Sequence, residues 1–418
     1  MKVMWLSNMI PGIIQEKLTG KKASGLWVDH TLNDLRKRDI CVRILCRGEN
    51  QQGSLDDKCS FATFRDREPY RYLPEVEAFF LEELKTYRPD VIHIWGTEYA
   101  HTLAMMNAAE KLGMEDRCVI SIQGICSVYA RHYAEGIPVK VQRQYTLHDL
   151  LKRENILGQQ RIYERRGDLE VQALQKTHHV IGRTHWDLAC AQMLAPQARY
   201  HFCNETLREP FYEGQWSYSG CQKHRIFASS CVYPVKGFHY LLEALAEVIK
   251  EYPDAALAVP GKDFLKLDSK GLLQQDNYHK YLKNMAEQYG LTDKIEFLGK
   301  LSPEGMKEQY LKAHVFALPS TIENSPNSLG EAMLLGTPCV AADVGGVTTM
   351  LKSGREGLTY QSTAPYMLAH CIKQLFAMGD RAEAMGRAAS EHARITHDPG
   401  KNLEDLLGIY REIEDSGR

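Results

Sequence analysis

Glu323 and Glu331 bracket the stretch of this chain whose residue types can do chemistry. Between them, Ser325 reads as a helix N-cap and Pro326 as the first helical residue, where its missing N–H costs nothing. Asn327 to Leu335 then reads as the helix, Gly336 as its stop and Pro338 as the opening of the next strand. Such a start aims free backbone N–H groups and the positive end of the helix dipole outward. That is an anion site suited to a phosphate or pyrophosphate. Glu331 lies one turn beyond Asn327 on the same helical face, where a carboxylate can accept hydrogen bonds from a vicinal diol such as ribose. Glu323, in the loop before the helix, is placed to meet a sugar. On spacing alone, a solvated helix carboxylate and a surface loop carboxylate are equally good readings.

These residues need a scaffold, and apolar runs rich in β-branched residues supply it. They fall at 2–7, 40–46, 90–95, 118–122 and 179–182, then at 225–230, 255–260, 294–299, 315–319 and 338–342. Helical patterns lie between them, among them 237–252 and 303–313. Near-continuous apolar strands alternating with helices imply parallel sheets covered on both faces, so the fold class is α/β with two doubly wound domains. The period breaks in the polar, aromatic stretch 203–224, which places the boundary there, and residues beyond about 395 read as a terminal helix detached from the last sheet unit. Ligands of such sheets bind beyond the carboxyl ends of the strands. Two facing domains make the cleft between them the default site.

At 418 residues the chain exceeds what one core organises. Its net charge of −2 gives no global attraction to nucleic acid. No apolar run is long enough to span a bilayer, and the N-terminus reads as a buried strand and not as a signal peptide. The eleven cysteines are scattered without a CxxC pair, which suits buried free thiols in a reducing cytoplasm and argues against structural zinc. Residues 131–183 carry ten Lys or Arg against six Asp or Glu, with tyrosines interleaved. That stretch reads either as a solvated amphipathic helix pair or as a peripheral docking face for an anionic lipid-linked acceptor or the inner face of a membrane.

The block ENSPNSLGEAMLLGTPCVAADVGG, with its E-x7-E glutamates, closely resembles the donor loop of retaining glycosyltransferases of the GT-B fold, family 4 (glycosyltransferase group 1). The resemblance extends through 297–320 and back to YPVKGFHYLLEAL at 233–245, and is looser over the N-terminal half. It implies two Rossmann-like domains with parallel sheets facing across a cleft. Residues 1–207 would bind the acceptor, completed by a C-terminal helix at about 396–418, and 208–395 would bind the nucleotide-sugar donor. Glu331 would hold the ribose, Glu323 would lie at the donor sugar, and Ser325, Asn327, Ser328 and Leu329 would cradle the distal phosphate. Lys236, which alone reads as an exposed turn lysine, would stabilise the leaving nucleoside diphosphate. Lys300 and Leu301 would lie against the base, and Gly261 and Lys262 would form a turn close to the donor.

In the N-terminal half the resemblance implies that Gly25, His93 and Trp95 line the cleft, His93 as a catalytic candidate and Gly25 as a donor-binding one, with Gln123, also donor-binding, at a strand end where relatives often carry histidine. His93 on its own reads more readily as a packed core histidine than as a catalyst. The chain departs from the family at Cys231, where an arginine usually stands, and Lys21 and Lys22 are candidates for the missing charge. The implied activity is hexosyl transfer, with retention, from a nucleotide sugar, first a UDP-sugar, to a carbohydrate or lipid-linked hydroxyl, as in polysaccharide biosynthesis. It needs no cofactor, and no Asp-x-Asp metal anchor stands between the halves. A nucleotide-sugar epimerase of the same fold and a degenerate nucleotide-sugar-binding protein remain as alternatives. Nucleic acid is not an expected partner.

Overall fold

In the computed structural model, which describes residues 1–21, 27–266 and 275–417, the apolar runs become the strands of two separate sheets. The first sheet contains β1 (Lys2–Ser7), β2 (Cys41–Arg47), β3 (Gln52–Ser54), β4 (Cys59–Phe64), β5 (Val91–Trp95), β6 (Cys118–Ser121), β7 (His179–Gly182) and β8 (Arg199–Phe202). Their order is β3-β4-β2-β1-β5-β6-β7-β8, parallel except for the short antiparallel edge strand β3. The second contains β9 (Arg225–Phe227), β10 (Ala256–Val259), β11 (Ile295–Phe297), β12 (Val315–Leu318), β13 (Cys339–Asp343) and β14 (Leu358–Gln361). Its order is β11-β10-β9-β12-β13-β14, with every neighbouring pair parallel. Both sheets are doubly wound: chain order reverses at β1/β5 in the first and at β9/β12 in the second. Loops leaving the carboxyl ends of those strand pairs diverge to opposite sides, which opens a crevice for ligand.

The chain divides into two compact units. One comprises 1–128, 162–208 and 396–418, and the other 129–161 and 209–395. The sequence reading placed 129–161 in the first half. Hydrogen bonds explain the difference: Thr321 Oγ1 donates to the His132 carbonyl at 3.0 Å, and Asn277 Nδ2 donates to the Gln144 carbonyl at 3.1 Å. His239 Nε2 also lies 3.1 Å from the Glu135 carbonyl. The strands missed in the sequence, β3, β4, β8 and β14, lie at or next to sheet edges. β3, β8 and β14 stay partly exposed, so polar residues dilute their apolar signal, whereas β4 is nearly all buried but carries Ser60 and Thr63 in its short run.

In the first unit the terminal helix Pro399–Ser416 packs Leu403, Leu406, Tyr410 and Ile413 into the cluster that holds Val3, Trp5 and Ile44. A buried polar network seals this contact. Trp5 Nε1 donates to the Tyr410 hydroxyl at 2.9 Å, and His93 Nδ1 lies 2.6 Å from the same oxygen. All eleven cysteines are free thiols.

Glu170, on the helix Ile156–Leu174, is almost fully enclosed. It accepts hydrogen bonds from Thr97 Oγ1 and from the amides of Cys126 (3.1 Å) and Ser127 (3.0 Å). Burial outweighs those donors and raises its pKa from an ordinary 4.5 to about 7. A carboxyl raised in the folded state contributes stability that is complete below its unfolded pKa and is lost as pH rises through the folded value. Unfolding free energy should therefore fall between about pH 4.5 and 7 through this group. Denaturant titrations of Glu170→Gln across that range should show a flatter profile than wild type, and identical profiles would remove Glu170 as the source.

Candidate functional site

The site in the second unit is assembled from the loops that leave β9 and β12, on the two sides of the switch point. The β9 loop runs to a short 3₁₀ turn, Pro234–Lys236, which Gly237 ends in the left-handed conformation at φ +63°. The β12 loop runs from Pro319 to the helix Asn327–Leu335. The two loops are joined backbone to backbone, with the Thr321 amide donating to the Val235 carbonyl at 2.9 Å. A Cβ at Gly237 would sit 1.8 Å from the Pro319 carbonyl oxygen, so this approach is open only to glycine. Gly345 plays the same part on the other side: its Cβ would lie 1.9 Å from the Glu323 carbonyl oxygen, which also accepts from the Gly346 amide at 3.1 Å.

This stitching brings together two residues that lie 87 positions apart in the chain. Lys236 Nζ lies 2.7 Å from Glu323 Oε1, and Ser320 Oγ donates to the same oxygen at 2.7 Å. The Glu323 side chain is 7 % exposed and that of Lys236 34 %, so the ammonium keeps an open side toward solvent while it neutralises a buried carboxylate.

The helix begins one residue later than the sequence reading had it. Pro326, and not Ser325, is the N-cap, it makes no side-chain cap bond, and Asn327 is the first helical residue. Proline has no side-chain acceptor, so the amides at the start are left to other partners. Leu329 and Gly330 turn their amides onto the Pro326 carbonyl, which leaves those of Asn327 and Ser328 outside the helical ladder. Leu329 itself is a core residue. Glu331 is buried one turn along, and the Asn324 amide donates to the Tyr129 hydroxyl at 2.9 Å.

Gly261 and Lys262 follow β10, and Lys300 and Leu301 follow β11. The Gly261 amide donates to the Gly299 carbonyl at 2.9 Å and ties these two loops together. Cys231 is buried, with its thiol 4.0 Å from the Pro260 carbonyl, and burial raises its pKa to about 12. Arg225 is occupied at the opposite end of its strand by Glu296 (2.5 Å) and Gln309 (2.9 Å).

In the first unit the expectation for His93 is corrected. It is fully buried, stacked on Trp95 at 3.9 Å between ring centroids, and its second nitrogen lies 2.7 Å from Ser121 Oγ. Burial depresses its pKa to about 3, so it packs as a neutral core histidine and is unsuited to proton transfer near neutrality. Gln123 borders a cavity of about 220 Å³ at the carboxyl ends of β1, β5 and β6, together with Asn8, Trp27, Trp95 and Glu98. Its Nε2 donates to Glu205 Oε1 at 2.5 Å, and Glu205 is ion-paired with the buried Arg183. Gly25 and Lys22 lie outside the described residues, and Lys21 is exposed.

Sequence reasoning missed Ser320, Asn324, Tyr129 and Gly345. Ser320 and Gly345 stand within or beside the quoted motif and were open to a turn-geometry argument. Tyr129 reaches Asn324 from 195 positions away, and no local pattern announces it.

Residues 222–392 match the family model of the glycosyl transferases group 1. Among curated relatives, the D-inositol 3-phosphate glycosyltransferase of Corynebacterium urealyticum is 30 % identical over 182 residues, 43 % of this chain and 41 % of that protein. The spore coat protein SA of Bacillus subtilis is 25 % identical over 180 residues, 43 % of this chain and 46 % of that protein. These matches thus span less than half of either relative. Among solved structures, sucrose-phosphate synthase from Thermosynechococcus elongatus aligns over 99 % of both chains with a TM-score of 0.70 at 16 % identity. Anabaena HepE in complex with UDP-glucose aligns over 99 % of this chain and 100 % of that one, with a TM-score of 0.67 at 16 % identity. The fold is therefore GT-B, and residues 222–392 are a glycosyl transferases group 1 domain.

Proposed function

We propose that this chain is a retaining glycosyltransferase that moves a hexosyl group from a nucleotide sugar, in the first instance a UDP-sugar, to a hydroxyl of a carbohydrate or lipid-linked acceptor. The observation that carries this reading is the Lys236–Glu323 pair, at 2.7 Å, over the carboxyl ends of β9 and β12. A diphosphate at this point meets an ammonium and the two amides of Asn327 and Ser328. The buried carboxylates of Glu331 and Glu323 are assigned to the ribose and to the sugar. The solved HepE complexes with UDP and with UDP-glucose lend support to the choice of donor.

In the reaction the acceptor oxygen bonds to the anomeric carbon as the bond from that carbon to the phosphate oxygen breaks. The acceptor proton passes to the departing phosphate oxygen on the same face, so configuration is retained. Lys236 and the helix start stabilise the charge that develops on the leaving diphosphate, through electrostatics arranged before the substrate arrives. The protein's part is positioning more than proton transfer. On this reading the positive charge comes from the protein, and turnover needs no metal.

Ligand binding, site variants and metal removal test the reading. In thermal-shift titrations, a UDP-sugar at a hundredfold excess over its Kd should stabilise wild type by about 2.7 kcal/mol. Glu331→Ala should abolish that shift, whereas Glu323→Ala should depress turnover far more than UDP binding. An unchanged shift for the first, or equal losses for the second, would overturn the assigned roles. Gly237→Ala should separate Lys236 from Glu323 and weaken UDP binding at least tenfold, by about 1.4 kcal/mol or more, and wild-type affinity would show that the close approach of the loops is dispensable. Transfer should survive exhaustive EDTA treatment; loss that is restored by Mg²⁺ or Mn²⁺ would refute the metal-independent scheme. Conversion of the sugar with no acceptor present would point instead to an epimerase.

A further inference from the structure

The segment 138–153 is folded inside out. Its polar residues Thr146 and Asp149 are buried and spend their hydrogen bonds inward. The Thr146 amide donates to Asp149 Oδ2 at 2.8 Å and the Asp149 amide to Thr146 Oγ1 at 3.2 Å, a capping box that starts the helix Leu147–Lys152. Asn277 and Asn155 clamp the segment from below through the carbonyls of Gln142 and Gln144. Its apolar side chains face the other way. Leu151 is 71 % exposed and Leu150 59 %, and Val139, Tyr145 and Leu147 are each more than half exposed.

Five of the thirteen exposed large hydrophobic side chains among the described residues therefore stand on this one short stretch. That density is unlike the scattered apolar exposure of an ordinary surface. The exposed charges carried by the segment itself have one sign, with the partly buried Glu135, Glu154 and Asp276 nearby. Lys140, Arg143, Lys152 and Arg153 are exposed, whereas Asp149 is buried, and no exposed residue of 138–153 is acidic.

We propose that residues 138–153 are a docking face for an anionic lipid bilayer. The apolar tips of Tyr145, Leu147, Leu150 and Leu151 would enter the headgroup boundary, and the four cations would lie among the lipid phosphates. Two independent features select this occupant. The apolar side chains are held outward by a framework of hydrogen bonds, and the exposed charged residues of the segment itself are all basic, which suits a negatively charged surface. The broader basic stretch 131–183 narrows to this face, because residues from 162 onward belong to the other unit. This inference is independent of the donor-site assignment.

Sedimentation of the full chain with vesicles tests it. Phosphatidylcholine–phosphatidylglycerol vesicles should pull the protein down, and phosphatidylcholine vesicles should do so at least tenfold more weakly. Each interfacial cation is worth roughly fivefold in partitioning, so Lys152→Glu with Arg153→Glu should weaken binding about thirtyfold or more. Leu150→Ser with Leu151→Ser should lower it by at least an order of magnitude, while Met193→Ser, exposed in the other unit, should leave it unchanged. An unaltered melting temperature in each variant keeps the fold out of the comparison. Equal binding to both vesicle types, or wild-type binding by the double serine variant, would overturn the proposal. So would self-association in sedimentation equilibrium that the serine pair abolishes, because the face would then belong to a second copy.

Discussion

A carboxylate removed from water must be neutralised, and that requirement organises the second unit's site. Glu323 is held in the β12 loop by its own backbone, with the Gly346 amide on its carbonyl, and by Ser320 on its side chain. Neither supplies a positive charge, and the β9 loop does so through Lys236. Leaving such a group without its partner costs on the order of 1–3 kcal/mol. The ion pair therefore gives the two loops a preferred relative position before any ligand arrives. Because the ammonium stays partly open to solvent, the same charge remains available to an incoming anion. On the proposed reading, one contact thus serves both as a structural tie and as a prearranged electrostatic device.

Each unit repeats this logic at its own switch point with different chemistry. In the first unit Asn8, in the loop after β1, donates to Glu98 at 3.1 Å, in the loop after β5. The Asn8 side-chain oxygen lies 2.7 Å from Nε2 of His101, whose other nitrogen is 3.1 Å from Asp66. Arg166 lies over Tyr99 at 4.7 Å and also donates to the Glu98 carbonyl at 2.5 Å. Burial raises the Glu98 pKa and lowers that of His101, so both groups are pushed toward their neutral forms. Where the second unit keeps a charge partly open, the first surrounds a small cavity with amide, carboxyl and aromatic groups. Such a lining suits hydroxyl-bearing ligands better than phosphates.

The parts of this architecture legible in the sequence were those whose signal is local. Parallel strands buried on both faces read directly from runs such as VFAL and CVAA, and the helix start near Pro326 read from its proline and from Gly336 at its end. The loop glutamates and Lys236 needed family resemblance, because a lone turn lysine has no distinguishing pattern. His93 misled the family-based reading for a physical reason. A histidine in an apolar strand serves either a site or a core, and only Tyr410, 317 positions away, shows which. The placement of 129–161 was illegible for the same reason, since its partners Asn277, Thr321 and His239 lie far along the chain.

Cys231 shows how such long-range facts bear on function. Its thiol is buried beside Gly261, 3.6 Å from where a Cβ would lie, and burial keeps it protonated. It brings no charge to the end of β9, and Arg225, at the far end of that strand, is committed to Glu296. Of the positions at which the family resemblance implied a phosphate cation, only Lys236 carries one here, and its charge is already balanced by Glu323. On the proposed reading, a diphosphate at this point would meet a lysine already paired with a carboxylate and the amides of Asn327 and Ser328. Such binding would draw on the geometry of the Asn327–Ser328 start as well as on the Lys236 ammonium. Both would then depend on the two glycine contacts, at Gly237 and Gly345, that hold the loops in register.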